Sequence, residues 1–215
     1  MAIWVLILFP SFIHAADCSP SGQSLLSEGW SKEIRRVCIT SLVSANSFRS
    51  PDKAKVIVAD DGGFHLTVNG KRLSWPEGED LTVRGSEVSW SPQSSAFFIN
   101  YGDGSGLDGW TLKVYSISDG RVVGLSKINQ EIVRRFRVDE GCPSDAVDPN
   151  VRGLGWTENG ADIYAFAQAT VSQSCGQQGD FRGATVSLAK CSIVSFYSEA
   201  ETKAHFHRLL PYNMR

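Results

Sequence analysis

The feature that most constrains this chain is a segment that comes back. "SPDKAKVIV" from Ser50, "SPQSSAFFI" from Ser91 and "TENGADIYA" from Thr157 lie over one another without a gap. Each is a polar turn that leads into a strand. Proline fixes φ at the turn in the first two copies, and Asp52, Gln93 or Asn159 supplies a side chain that tolerates tight turn geometry. Val56, Phe97 and Ile163 fall at one aligned position and are expected at equivalent buried sites; Trp90 and Trp156 share another, just before the turn, where the first copy has Arg49. The agreement continues downstream, through "FHLTV", the Asn69-Gly70 hairpin signal and "KRLSW" in the first copy. In the second it runs through "WTLKVYSI", Ser118-Asp119-Gly120 and "RVVGL", and in the third through "GATVSLAK" and "CSIVSFYS". Each unit therefore reads strand, turn, strand, loop, strand, turn, strand.

From Pro51 to Pro92 is 41 residues, within the period of about 40–45 residues expected of four-stranded propeller blades. The next interval, to Glu158, is 66 residues, and the surplus falls in "SKINQEIVRRFRVDEGCPSDAVDPN", an elongated connection in which Ile132 to Val138 is expected as an extra strand. The expected fold is all-β, a propeller-like array of about three four-stranded antiparallel blades over residues 39–198. Closed propellers use about 4–8 blades, and "SLLSEGWSKEIRR" ahead of the first unit is too short for a fourth. An open arc, an incomplete propeller completed by dimerisation and a β-sandwich with propeller-like hairpins stay open. An arc exposes sheet edges, which proteins cover or pair, so a homodimer through those edges is one expectation. The tail, residues 199–215, is another cover: Ser198 and Glu201 form a capping-box pattern for a short helix reaching Leu210.

The stretches "WSPQSSAFFI" and "VYSISDGR" resemble TolB-type, WD-like β-propeller repeats, whose pattern is Trp-Ser-Pro-Asp-Gly-x-x-Ile-Ala-Phe with a later Asp-Gly turn. The resemblance covers roughly Ile39 to Ser198. It departs in the first copy, which lacks the tryptophan, and in the third, which lacks Ser-Pro; the turn glycine survives only as Gly160. What it implies is partner binding through the loops of one face or a central groove. Fold analogy of this kind sets an expectation about function and does not establish it.

The N-terminus, "MAIWVLILFPSFIHAADC", has an apolar run too short to span a bilayer and reads as a signal peptide, residues 1–16, cut after Ala16. A secreted or periplasmic protein with no stable membrane anchor follows. The net charge of −2 and interspersed signs argue against a nucleic-acid surface, for which a concentrated basic patch is needed. Five cysteines in an exported chain point to disulfides, and none has the C-x-x-C spacing of a redox or zinc site. In an up-and-down blade, the connection into the first strand and the loop between the second and third strands lie at the same end. Cys142 and Cys175 occupy those places in the third unit and are expected to pair. Cys191 sits at the opposite end and is expected as a free, largely buried thiol. Cys18 and Cys38 remain, and their bridge would tie residues 17–38 to the first unit.

No catalytic signature stands out: Ser105 in "GDGSGLDG" is misplaced for a nucleophile elbow, and no H-E-x-x-H, Walker loop or dinucleotide fingerprint occurs. His205 and His207 in "HFH" would share a face only if extended, and no third ligand accompanies them, so no metal and no cofactor is assigned. His65 reads as a solvent-facing strand residue. The candidate ligand-binding residues are Asp103 and Asp108, in a glycine-rich loop, and Trp110, the aromatic residue without a packing position. The expected function is a protein-binding module with a protein partner. The alternative is an extracytoplasmic hydrolase on glycans or peptides, with Asp103, Asp108, Glu140, Asp145 and Asp148 as scattered candidate acids and no catalytic set assigned.

Overall fold

A computed structural model of the chain describes residues 37–38, 46–60, 62–76, 81, 86–101, 110–169 and 175–210. The expected signal peptide and the Cys18 half of the expected Cys18–Cys38 bridge lie outside the described residues. Three antiparallel sheets follow one another along the chain. The first is β2 (Asn46–Arg49), β3 (Lys55–Asp60), β4 (Gly63–Val68) and β5 (Lys71–Arg72). The second is β6 (Glu87–Trp90), β7 (Ala96–Tyr101), β8 (Thr111–Ser118) and β9 (Arg121–Gly124), with β1 (Val37–Cys38) added beside β6. The third is β10 (Asn150–Trp156), β11 (Asp162–Gln168), β12 (Phe181–Ser187) and β13 (Ser192–Tyr197). Helix α1 (Ser126–Asp139) joins the second sheet to the third, and α2 (Glu199–Phe206) follows the last strand. The fold is an incomplete propeller-like array of three four-stranded blades, with no closed barrel among the described residues.

The repeat is visible atom by atom at its turns. The hydroxyls of Ser50, Ser91 and Thr157 each accept the backbone N–H five residues on, from Lys55, Ala96 and Asp162, at 3.0–3.1 Å. Lys53, Ser94 and Gly160 all adopt positive φ, 63°, 59° and 61°. The turn is thus specified by a hydroxyl at its first position, which explains why the third copy keeps the geometry without Pro. Asn69-Gly70 and Asp119-Gly120 close the outer hairpins with two consecutive positive φ values, as two-residue hairpin turns require.

Strand register places Arg49 opposite Val56, Trp90 opposite Phe97 and Trp156 opposite Ile163. Each tryptophan reaches back one blade. The Trp90 indole N–H donates to Phe48 O at 3.0 Å, and the Trp156 indole N–H donates to Ser89 Oγ at 3.1 Å, at the register-equivalent place. Each sheet has one face toward each neighbour, so a core fills each gap. Phe48, Ile57 and Leu66 meet Trp90, Phe97 and Tyr115 between the first two blades. Phe98 and Val114 meet Trp156, Ile163 and Val186 between the second and third. Gly153 lets the latter pair approach, since a Cβ there would stand 2.8 Å from the Phe98 ring.

Two expectations need correction. Ile132 to Val138 is helix, not strand: Ile128, Ile132 and Phe136 recur every fourth residue and are fully buried in the core between the second and third blades. The β-branched pair Ile132-Val133 and the alternation of "RRFRV" suggest a strand, but the inward stripe has helical spacing. Val56, aligned with Phe97 and Ile163, is half-buried where they are fully buried. Its face of the first sheet has no preceding blade among the described residues, and Arg49, in the tryptophan's place, is exposed.

Candidate functional site

Strand direction brings the loop between the second and third strands of a blade to the same end as the connection into its first strand. At this end of blades two and three, four described segments converge: the start of β6, the end of β7 with the start of β8, the 140–149 connection after α1, and residues 175–180 ahead of β12. Trp110, the candidate ligand-facing aromatic, sits here and is half-buried. Its backbone serves as a partner for β10, accepting Val151 N–H and donating to Asn150 Oδ1, both at 2.9 Å. The Arg152 guanidinium lies 4.3 Å from the Trp110 ring centre, a cation–π distance.

Arg152 is anchored from below. Its Nη2 donates to Glu87 Oε1 at 2.5 Å, and Glu87 is only 1% exposed. Asn100 donates to Glu87 Oε2 at 2.8 Å and to Gly153 O at 2.9 Å, while accepting Gly153 N–H at 2.6 Å. The amide therefore bonds both backbone groups of Gly153, as a neighbouring strand would, and covers the outer edge of β10. A buried carboxylate is tolerated here because a guanidinium and an amide bond it. The network fixes the Trp110–Arg152 pair rather than leaving it to flex.

Beside it lies a second, disulfide-locked element. Cys142 and Cys175 are bridged, with Cα atoms 5.1 Å apart, joining the connection after α1 to the loop between β11 and β12. Arg137 at the end of α1 donates to the carbonyls of Pro143, Ser144 and Ala146 and to Asp148 Oδ1, at 2.6–2.9 Å, so the connection is wrapped around one guanidinium. Arg182 on β12 pairs with Asp139 at 2.8 Å and Glu140 at 2.5 Å. Burial pushes the Glu140 carboxyl above its ordinary range; the Arg182 charge opposes this, and Asp180 and Asp139 reinforce it.

The remaining candidates are scattered. Asp103, Asp108 and Ser105 lie outside the described residues. Asp145 is exposed in the connection, and Asp148 is engaged by Arg137. His65, expected to face solvent, is on the outward face of the first sheet but its side chain is only 14% exposed, 3.7 Å from Asp60. His205, in α2, packs at a tilt against Tyr197 with ring centres 4.9 Å apart, and His207 is the residue that ends that helix, so they do not share a face. Cys191 is a free thiol, as expected, and half-buried. Among the described residues no group of three His, Cys, Asp or Glu side chains is placed to hold a metal, and no helix is long and apolar enough to cross a membrane.

Glu87, Asn100, Arg152, Arg182 and Arg137 escape a reading of the sequence. Glu87 and Arg152 are 65 residues apart, Asn100 and Gly153 53 apart, and no local pattern signals such pairs. Compared with family models, with curated proteins and with solved structures, the chain matches none.

Proposed function

We propose that this protein is a secreted or periplasmic partner-binding module, of the TolB-like, propeller-repeat kind, whose recognition surface is the loop end of blades two and three. The observation that carries this reading is the Trp110–Arg152 stack, held by a buried Glu87–Asn100 network beside a disulfide-locked loop. Tryptophan and arginine dominate the energetics of protein interfaces, and a pre-organised pair loses little freedom on binding. Structural disulfides persist in oxidising compartments, which supports export. The test is affinity capture with cross-linking from the extracellular or periplasmic fraction. A partner should be retained by the wild type and by Lys190→Glu, at the opposite end of the third blade, and lost with Trp110→Ala. Capture that ignores Trp110 would remove the surface from consideration. N-terminal sequencing of the exported chain tests the cut after Ala16.

A second reading, a hydrolase acting on glycans or peptides, is supported by one feature: Glu140, whose carboxyl is raised by burial and stands near Asp180 at the same end. A carboxyl raised by burial beside other acids is a candidate for acid–base work. A panel of glycan and peptide substrates, with Glu140→Gln as control, decides this reading; activity unchanged in Glu140→Gln would exclude that residue as the acid.

A further inference from the structure

We propose that the outward face of the first sheet is a self-association surface, on which a second copy of this chain seats the same face across a two-fold axis perpendicular to the strands. Cross-strand register arranges that face in rows. Arg49, Val56, Thr67 and Arg72 form the row at the turn end; Ser47, Val58 and His65 form the middle row; Asp60 and Gly63 form the row at the loop end. Ser47, Arg49 and Arg72 are exposed, the Asp60 side chain is 38% exposed, Val56, Val58 and Thr67 are half-buried, and His65, 3.7 Å from Asp60, has a side chain 14% exposed. Elsewhere in the array an equivalent face is buried by the preceding blade, through the tryptophan that Arg49 replaces.

The arrangement of charge selects the occupant. Both arginines lie at one end of the face and the carboxylate at the other, so the face is complementary to itself when turned end over end. Rotation about the middle row puts Val58 over its symmetry mate and brings Arg49 beside the partner's Asp60. Stacking of one copy's first blade on another's third is closed off, because α2 covers the outward face of the third sheet through Phe206 and Leu210. Association through sheet faces is therefore isologous and stops at two copies. Four strands about 4.8 Å apart give roughly 400 Å² per copy, about half of what a standard stable interface buries. The dimer is accordingly weak and reversible, and charge decides it.

Sedimentation equilibrium of the full exported chain, from about 10 μM to about 1 mM, a range suited to small interfaces, supplies the test. The wild type is expected to dimerise reversibly. Arg49→Glu and Asp60→Arg should each weaken association about tenfold or more, since each places like charges together. An equimolar mixture of these two variants should associate at least as well as the wild type. In the mixed dimer the carboxylate introduced at position 49 of one copy meets the guanidinium introduced at position 60 of the other, and the second contact keeps its native Arg49 and Asp60. Asp60 also accepts Gly62 N–H at 2.9 Å; Asp60→Asn keeps an acceptor there and should weaken association less than Asp60→Arg while leaving the fold intact. A wild type that stays monomeric to about 1 mM overturns the proposal, and so does a mixture that fails to associate. Dimerisation indifferent to both charge reversals would move the contact to a sheet edge and equally overturn it.

Discussion

The two ends of the array solve one problem in opposite ways. A four-stranded sheet has two faces, and in the middle blade both are buried by neighbours. The third blade has no successor among the described residues, and α2 takes its place: Phe206 and Leu210 pack on Leu154, Phe166 and Phe181, and Thr202 Oγ1 accepts Gly183 N–H at 2.7 Å. The helix is started by a reciprocal capping box, with Ser198 and Glu201 each satisfying the other's backbone N–H. The first blade has no predecessor among the described residues, and its outward face carries arginine, serine, threonine and histidine around Val56 and Val58 where the inner faces carry aromatic rings. One end is covered by apolar packing, and the other carries mostly polar side chains. The lesson is that the same backbone unit tolerates either solution, provided the side chains at the face-defining positions change with it.

The largest effect that would break this comparison is at the sealed end. Phe206→Ala is expected to cost about 3–5 kcal/mol in chemical denaturation and to expose the third sheet, with aggregation as the second readout. A loss under about 1 kcal/mol would mean that α2 does not seal the face. Next is a matched pair at the aligned strand position. Ile163→Ala, fully buried, should cost about 2–5 kcal/mol, and Val56→Ala, half-buried, about 1 kcal/mol or less; equal losses would remove the asymmetry of the two ends. Gly183→Ala is smaller: its Cβ would stand 2.7 Å from Thr202 Oγ1 and 2.8 Å from the Phe206 ring. The helix must shift, at about 1–3 kcal/mol, measurable as a lower midpoint of unfolding.

The smallest effect is electrostatic and belongs to the first blade. Burial acts against the Asp52 carboxylate, but hydrogen bonds from Lys55, Ser50 and the Ala54 amide, with the Lys55 charge, outweigh it and hold the carboxyl down at about 2. Because the folded value lies below the usual 3.8, its contribution is present above about pH 4 and is lost as pH falls through 2. The side chain is 40% exposed, so solvent limits the contribution to a few tenths of a kcal/mol, roughly. Stability of Asp52→Asn relative to wild type should converge as pH falls from about 4 to about 2.

The sequence by itself determined the blade. Register inside each unit is set by short-range chemistry: a hydroxyl at Ser50, Ser91 or Thr157, positive φ three residues later, and at the outer hairpin Asn69-Gly70, Asp119-Gly120 or, in the third unit, Cys191 at positive φ. These signals lie within a few residues of what they control, which is why the strand order and the Cys142–Cys175 bridge could be read from spacing. The helix α1 was legible only in part, because three inward residues at four-residue spacing compete with a β-branched, alternating surface pattern in the same stretch.

What only the tertiary structure decided is which faces meet. Nothing local to Trp90 says that its indole will bond Phe48 O, nor does anything in "SEVSW" mark Glu87 as the anchor of an arginine 65 residues away. Those contacts cross from one blade to the next, and the separation between partners is set by loop and helix lengths that local rules do not constrain. The Trp110–Arg152 pair was half visible, as an aromatic residue with no packing role, but its partner was not. The physical reason is range: turn and strand preferences act over a few residues, whereas burial and charge pairing act between surfaces that become neighbours only after the blades have stacked.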